Sequence, residues 1–279
     1  MGEKPGLIDF SVVIPTYRRN NQLEEALASV LQQSGVTLEI IVIDDCPDGS
    51  ARDVVAALQD SRVEYQRNPN PTGGVPSVVR NLGWARARGQ FVHFLDDDDI
   101  VPGGHYQVVK ATFETHPEVG LVFGRIEPFG NCSEVQLRHE RHYFNEAARI
   151  ASVCGRLGTR LAFTSQMLFG HAMLVCSAGV VRRESVERIG GFDPGIRLFE
   201  DADFYARVMR ECGAYYIDRV VLRYRIGSPS LMHSPTPAPA QLLQQTSGRR
   251  RMQRKYLKKR GLLEFCTLVI FARTVLRIV

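Results

Sequence analysis

The sequence predicts an α/β protein in which an open, mostly parallel sheet is covered by helices on both faces. Two patterns carry that expectation. Short apolar, β-branched runs alternate with segments of helical period, and clusters of Asp, Asn, Pro and Gly end the runs. A third observation sets the scale. With 279 residues and 44% hydrophobic side chains, the chain can bury a core without disulfide staples.

The first run, residues 10–14 (Phe-Ser-Val-Val-Ile), ends at Pro15 and reads as a buried strand. Asn20 or Asn21 suits the cap of a following helix, whose Leu23, Ala26, Leu27, Val30 and Leu31 recur at helical spacing. Residues 38–43 form a second strand, halted by Asp44, Asp45, Cys46, Pro47, Asp48 and Gly49. A helix through Val54, Val55 and Leu58 and a weaker strand at 63–65 come next. Residues 68–76 are loop chemistry, 78–88 read as helix and 91–95 as strand. Over 125–170 the pattern blurs, which suggests an insertion or an acceptor-side region. Order returns at 172–176, in helices at 182–189 and 200–211, and in short strands at 214–217 and 220–224. Pro229, Pro235, Pro237 and Pro239 mark 228–240 as a linker.

Charge is unevenly spread. Arg249, Arg250, Arg251, Arg254, Lys255, Lys258, Lys259 and Arg260 carry +8, and removing them from the formal net +5 leaves −3 for the rest. A slightly acidic body with a basic tail argues against a whole-surface nucleic-acid binder. The six cysteines form no CxxC pair, against a zinc knuckle or a disulfide framework. The N-terminus fits neither a signal peptide nor a myristoylation pattern, so a reducing cytoplasm is expected.

In open parallel sheets, ligands bind at the carboxyl ends of the strands. Three carboxylate groups fall there. Asp96, Asp97, Asp98 and Asp99 follow the strand at 91–95, and four adjacent like charges need a counter-charge unless the turn is simply solvated. Mg²⁺ or Mn²⁺, which take oxygen ligands, would supply one. Asp44 and Asp45 follow the second strand, where an Asx-type turn also explains one of them. Glu200, Asp201 and Asp203 sit where acids favour a helix N-terminus. Each set alone has a plain structural explanation; three on one sheet edge point to a site.

The ordered series Ser11-Val-Val-Ile-Pro-Thr-Tyr17, Ile43-Asp-Asp45, Arg80-Asn81, Phe94-Leu-Asp-Asp-Asp-Asp99, Gly190-Gly-Phe-Asp193 and Glu200-Asp201 resembles the family-2 nucleotide-sugar glycosyltransferases of GT-A fold. The likeness spans residues 10–225. It implies a Rossmann-like GT-A catalytic domain over 1–227, with a nucleotide-binding half (10–124) and an acceptor-side half (125–227), followed by the linker and a basic amphipathic helical tail (241–279). It further implies inverting transfer of one sugar from a nucleoside diphosphate sugar, UDP- or dTDP-linked, with Mn²⁺ or Mg²⁺. Pro15, Thr16 and Tyr17 would line the nucleotide pocket, Asp45 or Asp44 would take the base, and Arg80 would lie near the nucleotide. Asp96 and Asp98 would be the metal pair, with Asp98 preferred, and Asp97 a ribose contact. Asp201 would be the catalytic base with Glu200 beside it. The family often has a histidine shortly after a Tyr-Arg pair; here Ile226 and Gly227 follow Tyr224-Arg225, and the nearest histidine is His233. A Gln-x-x-Arg-Trp motif of processive synthases is absent, since the only tryptophan is Trp84.

Those roles suit the chemistry. A metal neutralises a leaving diphosphate, and a base must reach the acceptor hydroxyl. The basic cluster followed by the amphipathic segment 262–279 reads as a helix on an anionic membrane surface at the cytoplasmic face, which favours a lipid-linked or cell-surface glycan precursor as acceptor. Packing of the same segment against the catalytic domain is the competing expectation; an RNA-binding tail ranks behind both, because Tyr256 is the lone aromatic among the charges. A non-catalytic nucleotide-sugar-binding scaffold is the rival function.

Overall fold

A computed structural model describes residues 7–227 and 239–278, with the side chains of 247–277 in the second stretch. Residues 228–238 of the expected linker, and His233 with them, lie outside the described residues. Seven strands form one sheet in the order β3-β2-β1-β4-β6-β5-β7. Strand β1 (Phe10–Thr16) pairs in parallel with β2 (Leu38–Asp44) and β4 (Phe91–Phe94), and β2 with β3 (Val63–Arg67). The residues of β2 and β4 are buried throughout, as expected of strands covered on both faces.

Between these strands run α1 (Asn20–Leu31), α2 (Arg52–Leu58) and α3 (Pro76–Trp84). Neither Asn20 nor Asn21 caps α1: its N-cap is Arg19, and Asn20 instead donates to the Ser50 carbonyl at 2.8 Å. Helix α3 begins earlier than the sequence suggests, because Pro76 occupies its first turn, where no N–H is required. Gly83 lets it press onto the sheet, since a Cβ there would stand 2.2 Å from Val13 Cγ1. That close approach sets Arg80 at the sheet edge.

Beyond β4 lie α4 (His105–Thr115) and β5 (Leu121–Phe129), neither of which the sequence pattern marked. The blurred region 125–170 is mostly helix: α5 (Glu134–Leu157) and α6 (Arg160–Phe169). Ser133 caps α5 by accepting from the Gln136 N–H, and Gly158 ends it in the left-handed conformation. Only one face of α5 is buried (Glu140, Phe144, Ala147, Ile150, Ala151, Val153 and Cys154), so its helical period is swamped by polar neighbours. Residues 171–175 are irregular; the strand there is β6 (Gly179–Arg182), which runs antiparallel to both β4 and β5. Helices α7 (Arg183–Ile189) and α8 (Glu200–Cys212) follow. The two expected strands near 214–224 are one, β7 (Ala214–Arg225), paired in parallel with β5 and irregular near Arg125.

The tail is helical, as α9 (Pro239–Arg260) and α10 (Leu262–Ile278), and it packs on the domain. Met252, Tyr256, Leu268, Ala272 and Val275 are buried. Arg210 forms a two-pronged pair with Glu264 at 2.8 and 2.9 Å, Arg260 pairs with Glu211, and Gln166 Nε2 donates to the Ala272 carbonyl. Arg250, Arg251, Arg254, Lys258 and Lys259 remain exposed, as do Leu262, Leu263, Ile270 and Leu276. Among the described residues, no helix is long and apolar enough to cross a membrane.

Candidate active site

The carboxyl ends of β1, β2 and β4 converge. Thr16 ends β1, and its hydroxyl donates to Asp97 Oδ2 at 2.8 Å; the Tyr17 N–H donates to the same oxygen at 3.3 Å. Arg19 spans Asp97 and Asp98 at 3.2 and 2.7 Å. Burial pushes the Asp97 carboxyl up to about 7, against the pull of Arg19. Tyr17 is exposed, with the Arg18 guanidinium 5.5 Å from its ring, and Pro15 is half-buried.

Arg80 is buried beneath the acidic turn. It donates to Asp96 Oδ1 at 2.6 Å and to Glu200 Oε1 at 2.9 Å, and stands over the Phe192 ring. One guanidinium thus joins the carboxylates after β4 to those at the start of α8. The Asp96 N–H donates to Ser177 Oγ, and the Ser177 carbonyl lies 2.8 Å from His93 Nε2, which burial keeps neutral with a pKa lowered to about 4. Asp99 is wholly buried and accepts from the Arg225 N–H at 2.9 Å, while Arg225 Nε donates to the Asp98 carbonyl.

Asp201 follows Glu200 in the first turn of α8. Burial raises its pKa to about 7, the Glu200 charge adds to the rise and the Arg80 charge opposes it. Asp96, Tyr143, Tyr205, Tyr224 and Cys176 also feel its charge. A base whose pKa lies near neutrality is matched to proton abstraction at that pH.

Asp44 and Asp45 hold loops. Asp44 accepts from the Cys46 and Ala51 N–H groups and from Tyr65 Oη. Asp45 accepts from Asn68 Nδ2, the Thr72 N–H and hydroxyl, and the Gly74 N–H. Burial alone would raise the Asp45 pKa, but those hydrogen bonds hold it below the usual range. The loop 68–74 is thereby fixed beside the sheet edge.

Thr16, Tyr17, Asp97 and Asp98 therefore form one cluster and Arg80, Asp96, Glu200 and Asp201 a second, while Asp44 and Asp45 buttress loops to one side. Sequence reasoning asked for a counter-charge on the aspartate tetrad and looked to a metal. It missed Arg19, Arg80 as a bridge, and Arg225, all of which supply positive charge. Arg19 carried a signal, since it lies two residues after the first strand's Pro-Thr-Tyr exit. A metal still fits in one form. Asp96 and Asp98 are hard oxygen donors at the mouth of the site, and Mg²⁺ is commonly held by one or two carboxylates plus substrate phosphates. A closed cage does not fit, because no group of three or more His, Cys, Asp or Glu among the described residues is arranged to hold a metal.

Residues 11–190 match Glycosyl transferase family 2, and the chain belongs to that family. An uncharacterized glycosyltransferase of Haemophilus influenzae is 25% identical over 201 residues, 72% of this chain and 62% of that protein. A Campylobacter jejuni GalNAc(5)-diNAcBac-PP-undecaprenol beta-1,3-glucosyltransferase is 38% identical over 125 residues, 44% of this chain and 37% of its own length. The chain thus spans less than two thirds of each. The crystal structure of S. aureus TarS 1-349 in complex with UDP-GlcNAc matches at TM-score 0.70 and 18% identity, covering 96% of this chain and 72% of that one. The mannosyltransferase PcManGT from Pyrobaculum calidifontis in complex with GDP-Man and Mn²⁺ matches at 0.64 and 17%, covering 97% and 70%. These structural likenesses bear on the fold, which is the GT-A α/β fold that the sequence resemblance implied.

Proposed function

We propose that the chain transfers one sugar from a nucleoside diphosphate sugar to an acceptor hydroxyl with inversion at the anomeric carbon. Asp201 takes the hydroxyl proton, the acceptor oxygen bonds to the anomeric carbon, and the bond to the diphosphate breaks on the opposite face. The observation that carries this reading is Asp201 itself: a carboxylate with a pKa near 7, tied through Glu200 and Arg80 to Asp96 on the donor side. Asp96 and Asp98 would hold Mn²⁺ or Mg²⁺, which would neutralise charge on the departing diphosphate. Thr16 and Tyr17, at the end of β1, and the loop held by Asp45 border the nucleotide, with Asp97 fixing the β1 exit in place. Glu200 keeps Arg80 oriented.

The Campylobacter relative's name specifies a polyprenyl-diphosphate-linked glycan, which supports a lipid-linked acceptor here. The exposed cations of α9 and the exposed apolar side chains of α10 support docking on an anionic membrane surface, with each cation worth about 1 kcal/mol there. A metal-free, non-catalytic binding role has one observation in its favour: arginines already neutralise the aspartate turn. Donor turnover separates the two. A panel of UDP-, dTDP- and GDP-sugars, each with Mn²⁺, Mg²⁺ or EDTA, should reveal metal-stimulated transfer to a polyprenyl-linked glycan that Asp201→Asn slows by about 10²–10⁴-fold. Donor binding without turnover under every condition would instead establish the binding role.

A further inference from the structure

We infer that helix α9 belongs to the catalytic apparatus: it holds the loop 192–199 that delivers Asp201, with Gly248 and Lys255 as positioning residues. The inference rests on Asp201 acting as the base and adds a use for the basic tail other than location.

The loop ends in an uncommon conformation. Phe199, directly before α8, has a φ of 64°, in the left-handed region that a bulky side chain rarely adopts. Such a residue persists only where its surroundings hold it, and here α9 supplies part of the hold. Gly248 sits inside α9, where glycine is a poorer helix former than alanine. A Cβ at that position would lie 3.0 Å from the Leu198 carbonyl oxygen, 3.3 Å from Leu198 Cβ and 3.4 Å from Phe199 Cδ2. The backbone of α9 therefore rests on the strained pair so closely that a methyl group would shift it by a few tenths of an ångström.

Two helical turns further on, the same face of α9 grips the start of the loop. Lys255 Nζ meets Asp193 Oδ2 at 2.5 Å, and Asp193 Oδ1 accepts the Gly195 N–H at 2.8 Å. Behind the loop, a cavity of about 330 Å³ is bordered by Gly191, Phe192, Pro194, Arg207, Lys255 and Tyr256. Phe192 and Ile196 anchor the loop in the core, but beside Pro194 the cavity leaves it open, and there α9 supplies the contacts. On the far side Asn81 clamps Phe192 through both its backbone N–H and its carbonyl. Helix α9 is anchored in turn by Arg249 donating to the Gly170 carbonyl at 2.7 Å and Gln253 to the Leu168 carbonyl at 2.8 Å.

The test uses the full chain, an accepted donor, and the variants Gly248→Ala, Lys255→Met and Lys255→Arg. For each, kcat, the donor KM, calorimetric donor binding and the melting temperature are measured. Gly248→Ala should keep or raise the melting temperature, since alanine is the better helix former. It should nonetheless lower kcat about tenfold, because small misplacements of a catalytic group cost up to about a hundredfold. Lys255→Met should lower kcat likewise and Lys255→Arg restore most of it, with donor affinity unchanged in all three. If Gly248→Ala and Lys255→Met both keep kcat within about twofold of wild type, or lose donor binding and melting temperature in step with kcat, α9 is only structural and the inference is overturned. A wild-type chain that transfers no sugar would overturn the proposed function and this inference together. An active wild type with unresponsive variants overturns this inference alone.

Discussion

Replacing Arg80 with methionine tests the link between the two carboxylate groups. The guanidinium is buried and contacts Asp96 at 2.6 Å and Glu200 at 2.9 Å, so its loss leaves carboxylates facing one another in a water-poor site. Breaking a buried charged network by removing one partner costs about 3–5 kcal/mol, which for a domain of this size lowers the melting temperature by roughly ten degrees. The loss should depend on pH with a definite sign. Without Arg80, which opposes the rise, the folded-state pKa of Asp201 climbs further above its ordinary value. A folded pKa above the unfolded value means that stability falls as pH rises between the two values. The variant's deficit is therefore smaller at pH 5 than at pH 8. In rate measurements, the ascending limb of kcat/KM, which in the wild type should rise through about 7 as Asp201 deprotonates, moves to higher pH, because the charge that opposed the rise is gone. Melting curves at both pH values and a pH–rate profile decide the matter. An equal melting loss at pH 5 and pH 8, with an unmoved limb, would refute the idea that Arg80 sets the charge balance of the site.

Other outcomes follow from the same geometry. Asp201→Asn should retain donor binding by calorimetry while kcat falls about 10²–10⁴-fold, the usual worth of a general base. Asp98→Asn and Asp96→Asn should weaken the metal dependence of donor binding, read as a higher Mn²⁺ concentration for half-maximal thermal stabilisation. Glutamine at Arg250, Arg251, Arg254, Lys258 and Lys259 together should abolish sedimentation with vesicles containing phosphatidylglycerol at moderate salt. Turnover on a soluble acceptor analogue should remain, because none of these side chains touches the catalytic loop through an ion pair among the described residues.

Much of the sheet was legible because buried parallel strands read as unbroken apolar runs: Phe10–Thr16, Leu38–Asp44 and Phe91–Phe94 differ from expectation by a residue or two at their ends. Helix α5 was not, because its buried stripe is a minority of its surface and arginines and histidines fill the rest. The carboxylates of the site stood out by type and by position after strands. Their counter-charges did not. Arg19 meets Asp97 and Asp98, and Arg80 meets Glu200, only through pairing of elements far apart in sequence, and nothing local marks an arginine as inward-facing. The tail shows a different limit. An amphipathic helix has the same period whether its apolar face meets lipid or protein. In α10, Leu268, Ala272 and Val275 meet protein, while Leu262, Leu263 and Ile270 face outward. Phe199 and Gly248 meet because of the fold, and neither is conspicuous alone.

The central claim is a single displacement assisted by Asp201, and the anomeric configuration of the product tests it most directly. With an accepted donor of known configuration, NMR of the wild-type product should show inversion, and Asp201→Asn should form that product at least about a hundredfold more slowly. Retained configuration, or undiminished transfer by Asp201→Asn, would contradict the account.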